Sequence, residues 1–159
     1  MSLDVLSIAS VSYQEALNAD ADLYTAGAWR TIDINAEEFD PDGIVSVGSS
    51  RFTLGAGTYL VRAVSLEYGG GTGVLRQYRL RFYDVTGAAG VTPQGLNTAA
   101  ESSMPYCLLT GLLIPTVTTA YELQIQLDAD GSGARDQGSL FPGLVDIERY
   151  AQIDIRQIA

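Results

Sequence analysis

The segment Arg51–Tyr68, RFTLGAGTYLVRAVSLEY, constrains the fold more than any other part of this chain. It reads as a short strand over Arg51–Leu54, a glycine turn at Gly55–Gly57, and a long strand over Thr58–Glu67. In the long strand Tyr59, Val61 and Ala63 fall on one side, and Leu60, Arg62 and Val64 on the other. Side chains on a strand alternate between faces, so this pattern predicts a core strand with two distinct surfaces. Such a segment sets a packing framework before it offers any chemistry.

The same period of two organises the chain from Trp29 onward. Trp29, Thr31, Asp33 and Asn35 alternate with Arg30, Ile32 and Ile34. Over Val74–Val85, Tyr78, Leu80 and Phe82 alternate with Gln77, Arg79, Arg81 and Tyr83, which predicts one core face and one basic, wet face. Tyr121, Leu123, Ile125 and Leu127 alternate with Glu122, Gln124, Gln126 and Asp128. Ala151, Ile153 and Ile155 are the inward positions of a closing strand over Tyr150–Ile158. Tyr106–Ile114 is almost continuously apolar, as expected of a strand buried on both sides. Phe39-Asp40-Pro41-Asp42-Gly43 carries turn chemistry, with Pro fixing φ and Gly supplying a positive one. Gly69–Gly73 reads as a flexible connection, and Gly87–Ala100 and Asp130–Gly143 as loops. About eight strands between Gly and Pro loops predict an all-β antiparallel sandwich or jelly roll.

Residues 1–28 differ in texture. Ser12-Tyr13-Gln14-Glu15 has capping-box spacing, and Tyr13, Ala16, Leu17, Asp20 and Tyr24 fall where they line a short helix. The preceding Leu3–Val11 reads either as a strand or as an arm laid on a neighbour. The expected organisation is an anchoring or docking segment over residues 1–27, followed by one β domain over 28–159.

Composition narrows the function. A chain of 159 residues that is 47% hydrophobic has enough apolar material for one sizeable core. Its net charge is −10, and its nine positive charges are all arginine. An acidic surface repels phosphate backbones and anionic headgroups, which argues against nucleic acid and membrane as partners. With no histidine there is no Ser-His-Asp or Cys-His arrangement and no imidazole for zinc. With no lysine there is no P-loop and no Schiff base. Nineteen acidic residues make some close carboxylate pair nearly inevitable, so the pairing used in glycoside hydrolysis carries no specificity here. The chain is expected not to be an enzyme. Cys107 is the only cysteine and reads as a small buried hydrophobe with no internal disulfide. The first basic residue is Arg30, so the N-terminus lacks the positive region of a secretory signal. No apolar run approaches the roughly 20 residues of a membrane-spanning helix.

Two candidate ligand sites remain. Asp128, Asp130, Ser132 and Asp136 occupy the first, third, fifth and ninth positions of a calcium-loop pattern, with Gly133 at the sixth. The twelfth position is Ser139 rather than a bidentate Glu, and the flanks read as strands, so ordinary hairpin chemistry explains the same residues. No other cofactor is expected. Tyr68, Tyr83, Tyr106 and Tyr150, with Arg81, form the second candidate, a glycan-stacking surface; core or interface packing is the simpler explanation of the tyrosines.

Four pieces stand in order: Ala28-Trp29-Arg30-Thr31 with Ile34-Asn35; Phe52-Thr53-Leu54-Gly55-Ala56-Gly57-Thr58-Tyr59; Tyr121-Glu122-Leu123-Gln124; and Tyr150-Ala151-Gln152-Ile153-Asp154-Ile155-Arg156-Gln157-Ile158. This order resembles the jelly-roll domain of bacteriophage virion proteins, including head fibres, capsid decoration proteins and tail-fibre tips. That domain is similar in turn to the trimeric jelly rolls of the complement C1q and tumour-necrosis-factor type. The resemblance spans residues 28–159, and Gly55 departs from the proline common at that turn. It implies a homotrimer with Tyr59, Val61, Tyr121 and Leu123 near the threefold contact, and it supplies no catalytic residue. It also implies a virion surface protein made in the host cytoplasm, docked on a capsid or tail protein through residues 1–27, with its loops outward. The alternative within the same resemblance is an adhesin for host-surface polysaccharide.

Overall fold

The computed structural model describes residues 5–16, 24, 27–66, 76–91, 95–99, 106–127 and 147–158. They form twelve strands and no helix: β1 (Val5–Ala16), β2 (Arg30–Thr31), β3 (Ala36–Phe39), β4 (Val45–Gly48), β5 (Arg51–Leu54), β6 (Thr58–Leu66), β7 (Arg76–Asp84), β8 (Ala89–Gly90), β9 (Gly95–Ala99), β10 (Tyr106–Leu113), β11 (Thr119–Leu127) and β12 (Ile147–Ile158). One sheet runs β10-β6-β12-β1-β3, and the other runs β4-β5-β11-β7-β8 with β2 added to β11 and β9 to β7. Every pairing is antiparallel.

The alternation read from the sequence becomes burial. In β6 the side chains of Tyr59, Val61 and Ala63 enter the core, as do Tyr78, Leu80 and Phe82 from β7. Leu123 and Ile125 of β11 and Ile153 and Ile155 of β12 complete a single cluster fed by both sheets. Phe52 sits at its centre, edge-on to Phe82 at 5.8 Å and stacked on Tyr121 at 5.7 Å. Aromatic pairs favour these geometries because the ring edge is positive and the face negative.

Turn chemistry fixes the connections. Asp40 accepts from the backbone N–H groups of Ile44 at 2.9 Å and Val45 at 2.8 Å, and Gly43 takes φ +66°. The β4–β5 hairpin closes through Ser49 and Ser50, both left-handed at φ 55° and 61°. A two-residue hairpin prefers that twist, although the sequence carries no Asn-Gly to announce it. At the crossing from β5 to β6, a Cβ on Gly57 would lie 3.1 Å from the Tyr59 ring. The ring folds back over the turn, which is why glycine precedes Thr58-Tyr59.

Three expectations are corrected. The helix expected over Tyr13–Tyr24 is overturned for its first turn, because Ser12–Ala16 lie in β1. That strand pairs with β12 from Val5↔Ile158 to Ala16↔Ile147, and with β3 on its other side. Residues 5–16 thus pack on the β domain, bonded along their length to its C-terminal strand and over Ser10–Ser12 to β3 as well. The long ladder to β12 satisfies the backbone groups that a helix would have paired locally, and the capping signal does not compete with it. Only Arg30–Thr31 of the expected first strand is strand, although Ile32 and Ile34 are buried. Finally, β10 is not covered on both sides within one protomer. Cys107, Leu109 and Leu113 face the core, whereas Tyr106, Leu108 and Leu112 are exposed.

Candidate functional site

The sheet β10-β6-β12-β1-β3 has an outer face whose character changes row by row. Register places Leu112 opposite Leu60, Thr110 opposite Arg62, Leu108 opposite Val64, and Tyr106 opposite Leu66. Continuing across, Arg62 lies opposite Asp154 and Asp154 opposite Ser10. Tyr106, Leu108 and Leu112 are 60%, 43% and 49% exposed, and Leu60, Val64 and Leu66 beside them are half-buried. Neighbouring side chains on one sheet face sit close enough to make this a contiguous apolar surface. Single exposed leucines need no explanation, but a contiguous patch marks a contact site.

One polar row crosses the patch. Arg62 Nη1 lies 4.0 Å from Asp154 Oδ2. Asp154 Oδ1 accepts from Gln152 Nε2 at 2.8 Å and from Ser10 Oγ at 3.4 Å. A shallow hollow of about 280 Å³ lies beside the pair, with Val64, Leu66 and Ala151 among its lining residues.

Four residues were expected at a threefold contact. Tyr59, Val61, Tyr121 and Leu123 are no more than 3% exposed in a single protomer, so they are core residues and present no surface to a neighbour. Burial pushes the Tyr59 phenol up. Burial likewise raises Tyr121, and the nearby Asp84 carboxylate adds to the effect. Leu60, between Tyr59 and Val61 on β6, and Leu112, paired with it on β10, were missed. The available signal was that both sides of β6 are apolar apart from Arg62.

The glycan candidates are not brought together. Tyr106 lies on the outer face just described, whereas Arg81 and Tyr83 lie on β7 in the opposite sheet. The Arg81 guanidinium covers the rings of Trp29 at 4.3 Å and Tyr83 at 4.9 Å, occupying a face of each that a sugar would need. Tyr150 is buried, donates to Glu148 Oε2 at 2.5 Å, and packs 5.6 Å from Tyr13. Tyr68 and the calcium candidates Asp128, Asp130, Ser132 and Asp136 lie outside the described residues. Among the described residues no cluster of three acidic or cysteine side chains is placed to hold a metal ion.

Two carboxylates are held by dense hydrogen bonding. Glu122 accepts from Thr31 Oγ1 at 2.8 Å, Arg51 Nε at 3.0 Å and Gln124 Nε2 at 2.7 Å. Burial opposes its ionisation, yet those donors and the Arg51 charge outweigh burial and hold it below the usual carboxylate range. Arg81 Nε bonds Gln124 at 2.8 Å, which extends the network to the Trp29–Tyr83 stack. Glu38 accepts from two guanidinium nitrogens of Arg149, Nε and Nη2, and from Ser12 and Gln14. The Arg149 bonds outweigh burial and bring it down to about 2. Both networks tie strands distant in sequence, and neither leaves an open catalytic group.

No protein-family model matches the sequence, and a search of curated proteins finds no relative. Solved structures do match. The globular domain of zebrafish complement 1qA protein aligns over 94% of this chain and 95% of its own, with TM-score 0.53 and 14% identity. Murine APRIL at pH 5.0 aligns over 95% and 98%, with TM-score 0.59 and 6% identity. Eiger TNF from S. frugiperda aligns over 98% and 94%, with TM-score 0.60 and 10% identity. At these identities the likeness is one of fold: an all-β antiparallel jelly roll of the C1q/TNF type.

Proposed function

We propose that this chain is a non-enzymatic, self-associating jelly-roll module, and that three copies assemble through the outer face of β10 and β6. The observation that carries the reading is the exposed row Tyr106, Leu108 and Leu112 beside Leu60, Val64 and Leu66. Covering that row in water is favourable by roughly 25 cal/mol per Å² of apolar surface removed. The trimeric number comes from the C1q/TNF-type resemblance, and the full-length match to such folds supports it.

The cellular role we propose is that of a virion surface protein presenting its loops outward, on the strength of the four sequence pieces shared with phage jelly rolls. Val5–Ala16 is paired into the sheet, so docking on a particle through this segment uses its outer surface, where Leu6 and Ile8 are exposed. The adhesin alternative loses support from the split placement of Tyr106 and Arg81.

Replacing Leu108 and Leu112 together by Asp tests the assembly. The reading expects a monomer with unchanged strand content by circular dichroism. A double variant with the oligomeric mass of the wild type would overturn it. Mass spectrometry of purified particles from the encoding phage tests the role, and particles lacking the chain would refute it.

A further inference from the structure

We infer that the Arg62–Asp154 pair is buried between copies of this chain and fixes the register in which they associate. This rests on the self-association proposed above and adds the residues that make it specific. The pair belongs to a polar row, Thr110–Arg62–Asp154–Ser10, that crosses three strand junctions at one level of the sheet. Above it on β10 and β6 lie Leu112 and Leu60, and below it Leu108 and Val64. On those two strands a copy seated on this face meets a polar band between two apolar ones, while on β12 Asp154 is flanked by Arg156 and Gln152.

Physical chemistry makes that band a ruler. Sliding a partner by two residues, roughly 6.6 Å along a strand, sets an apolar row against the ion pair and a polar row against leucine. An ion pair pressed against leucine is stripped of water and gains no hydrogen bond in exchange, a desolvation cost that one leucine contact does not return. Apolar rows alone tolerate such slippage because the hydrophobic effect is not directional. The polar row excludes it.

The occupant is a second copy because of charge. The chain carries −10, so copies repel one another across most of their surface. The outward positions of β10 and β6 hold no carboxylate, and Arg62 is their one charge. With Asp154 alongside, the band is neutral as a whole, so a second copy approaches here without the repulsion that the rest of its acidic surface imposes. The hollow beside the pair, lined by Arg62, Asp154, Val64 and Leu66, gives room for an inserted side chain.

The test compares Arg62→Met with Arg62→Met/Asp154→Leu on the full chain, read by sedimentation velocity across protein concentration. In the free protomer the Arg62 and Asp154 side chains are 56% and 39% exposed, so losing the pair there is nearly neutral. Arg62→Met should therefore leave urea stability unchanged in the Leu108→Asp/Leu112→Asp background. It should weaken association of the otherwise native chain roughly 100-fold or more, by stranding Asp154 in the contact. The double variant should recover affinity but sediment as more than one species. Arg62→Met associating like the wild type, or the double variant keeping a single species, overturns the register role while leaving self-association standing. A wild-type chain that stays monomeric overturns both.

Discussion

Tyr13→Ala is the substitution that most sharply separates an N-terminal strand from an N-terminal arm. Tyr13 is 2% exposed, and its ring lies 5.6 Å from that of Tyr150 on β12. A buried tyrosine removes about 200 Å² from water, and at about 25 cal/mol per Å² its loss costs roughly 3–5 kcal/mol including the cavity. Domains of this kind are stable by only about 5–15 kcal/mol, so the variant forfeits a large share. With a urea slope of about 2 kcal/mol/M, the midpoint should fall by roughly 1.5–2.5 M. The assay is equilibrium urea unfolding by circular dichroism at one fixed protein concentration, because association adds apparent stability by mass action. Leu6→Ala is the internal control: Leu6 lies on the same strand at 59% exposure and should change stability by no more than about 0.5 kcal/mol. If Tyr13→Ala is as mild as Leu6→Ala, β1 is not part of the core and the account of residues 5–16 is wrong.

Three further outcomes follow from the same structure. Deleting residues 1–27 should abolish the cooperative unfolding transition, since β12 and β3 lose the strand between them; a truncated chain that unfolds like the wild type contradicts this. Gly57→Ala should cost about 1–3 kcal/mol by pressing a methyl on the enclosed Tyr59 ring, and an unchanged melting temperature would show that the ring yields. Glu38 has a folded pKa of about 2 against 4.5 for the free group, so its stabilisation is present above pH 4.5 and lost as pH falls toward 2. Solvent screening of the half-exposed Arg149 keeps this to about 1 kcal/mol, and Glu38→Gln should flatten that acid limb in a pH series of urea midpoints. A variant retaining the full acid loss would point to other carboxylates.

Much of the fold was legible because period-two patterning is local. Tyr59/Val61/Ala63, Tyr78/Leu80/Phe82 and Ile153/Ile155 announced their inward faces without knowledge of any partner strand. The strand β1 was legible only in part: Leu3–Val11 admitted a strand, but Ser12–Ala16 mimic a helix start, and what makes them strand is pairing with the far end of the chain, Tyr13 against Ala151. The contact surface was half legible. The apolar run at 106–114 has no period, so nothing in it says that Leu108 and Leu112 lie uncovered while Leu109 and Leu113 are core. The resemblance directed attention to Tyr59 and Tyr121, which are core; Leu60, next to Tyr59, lies on the outer face, whereas Glu122, next to Tyr121, is buried. The Glu122 network was invisible because Thr31, Arg51 and Gln124 reach it from three strands.

The central claim is that this jelly roll associates through its β10–β6 face. Sedimentation equilibrium of the unmodified chain, from low micromolar to about 100 μM, tests it most directly. The account predicts a single species of three chain masses that collapses to one chain mass on Leu108→Asp/Leu112→Asp. A monomer throughout that range, or a trimer indifferent to those two substitutions, would contradict it.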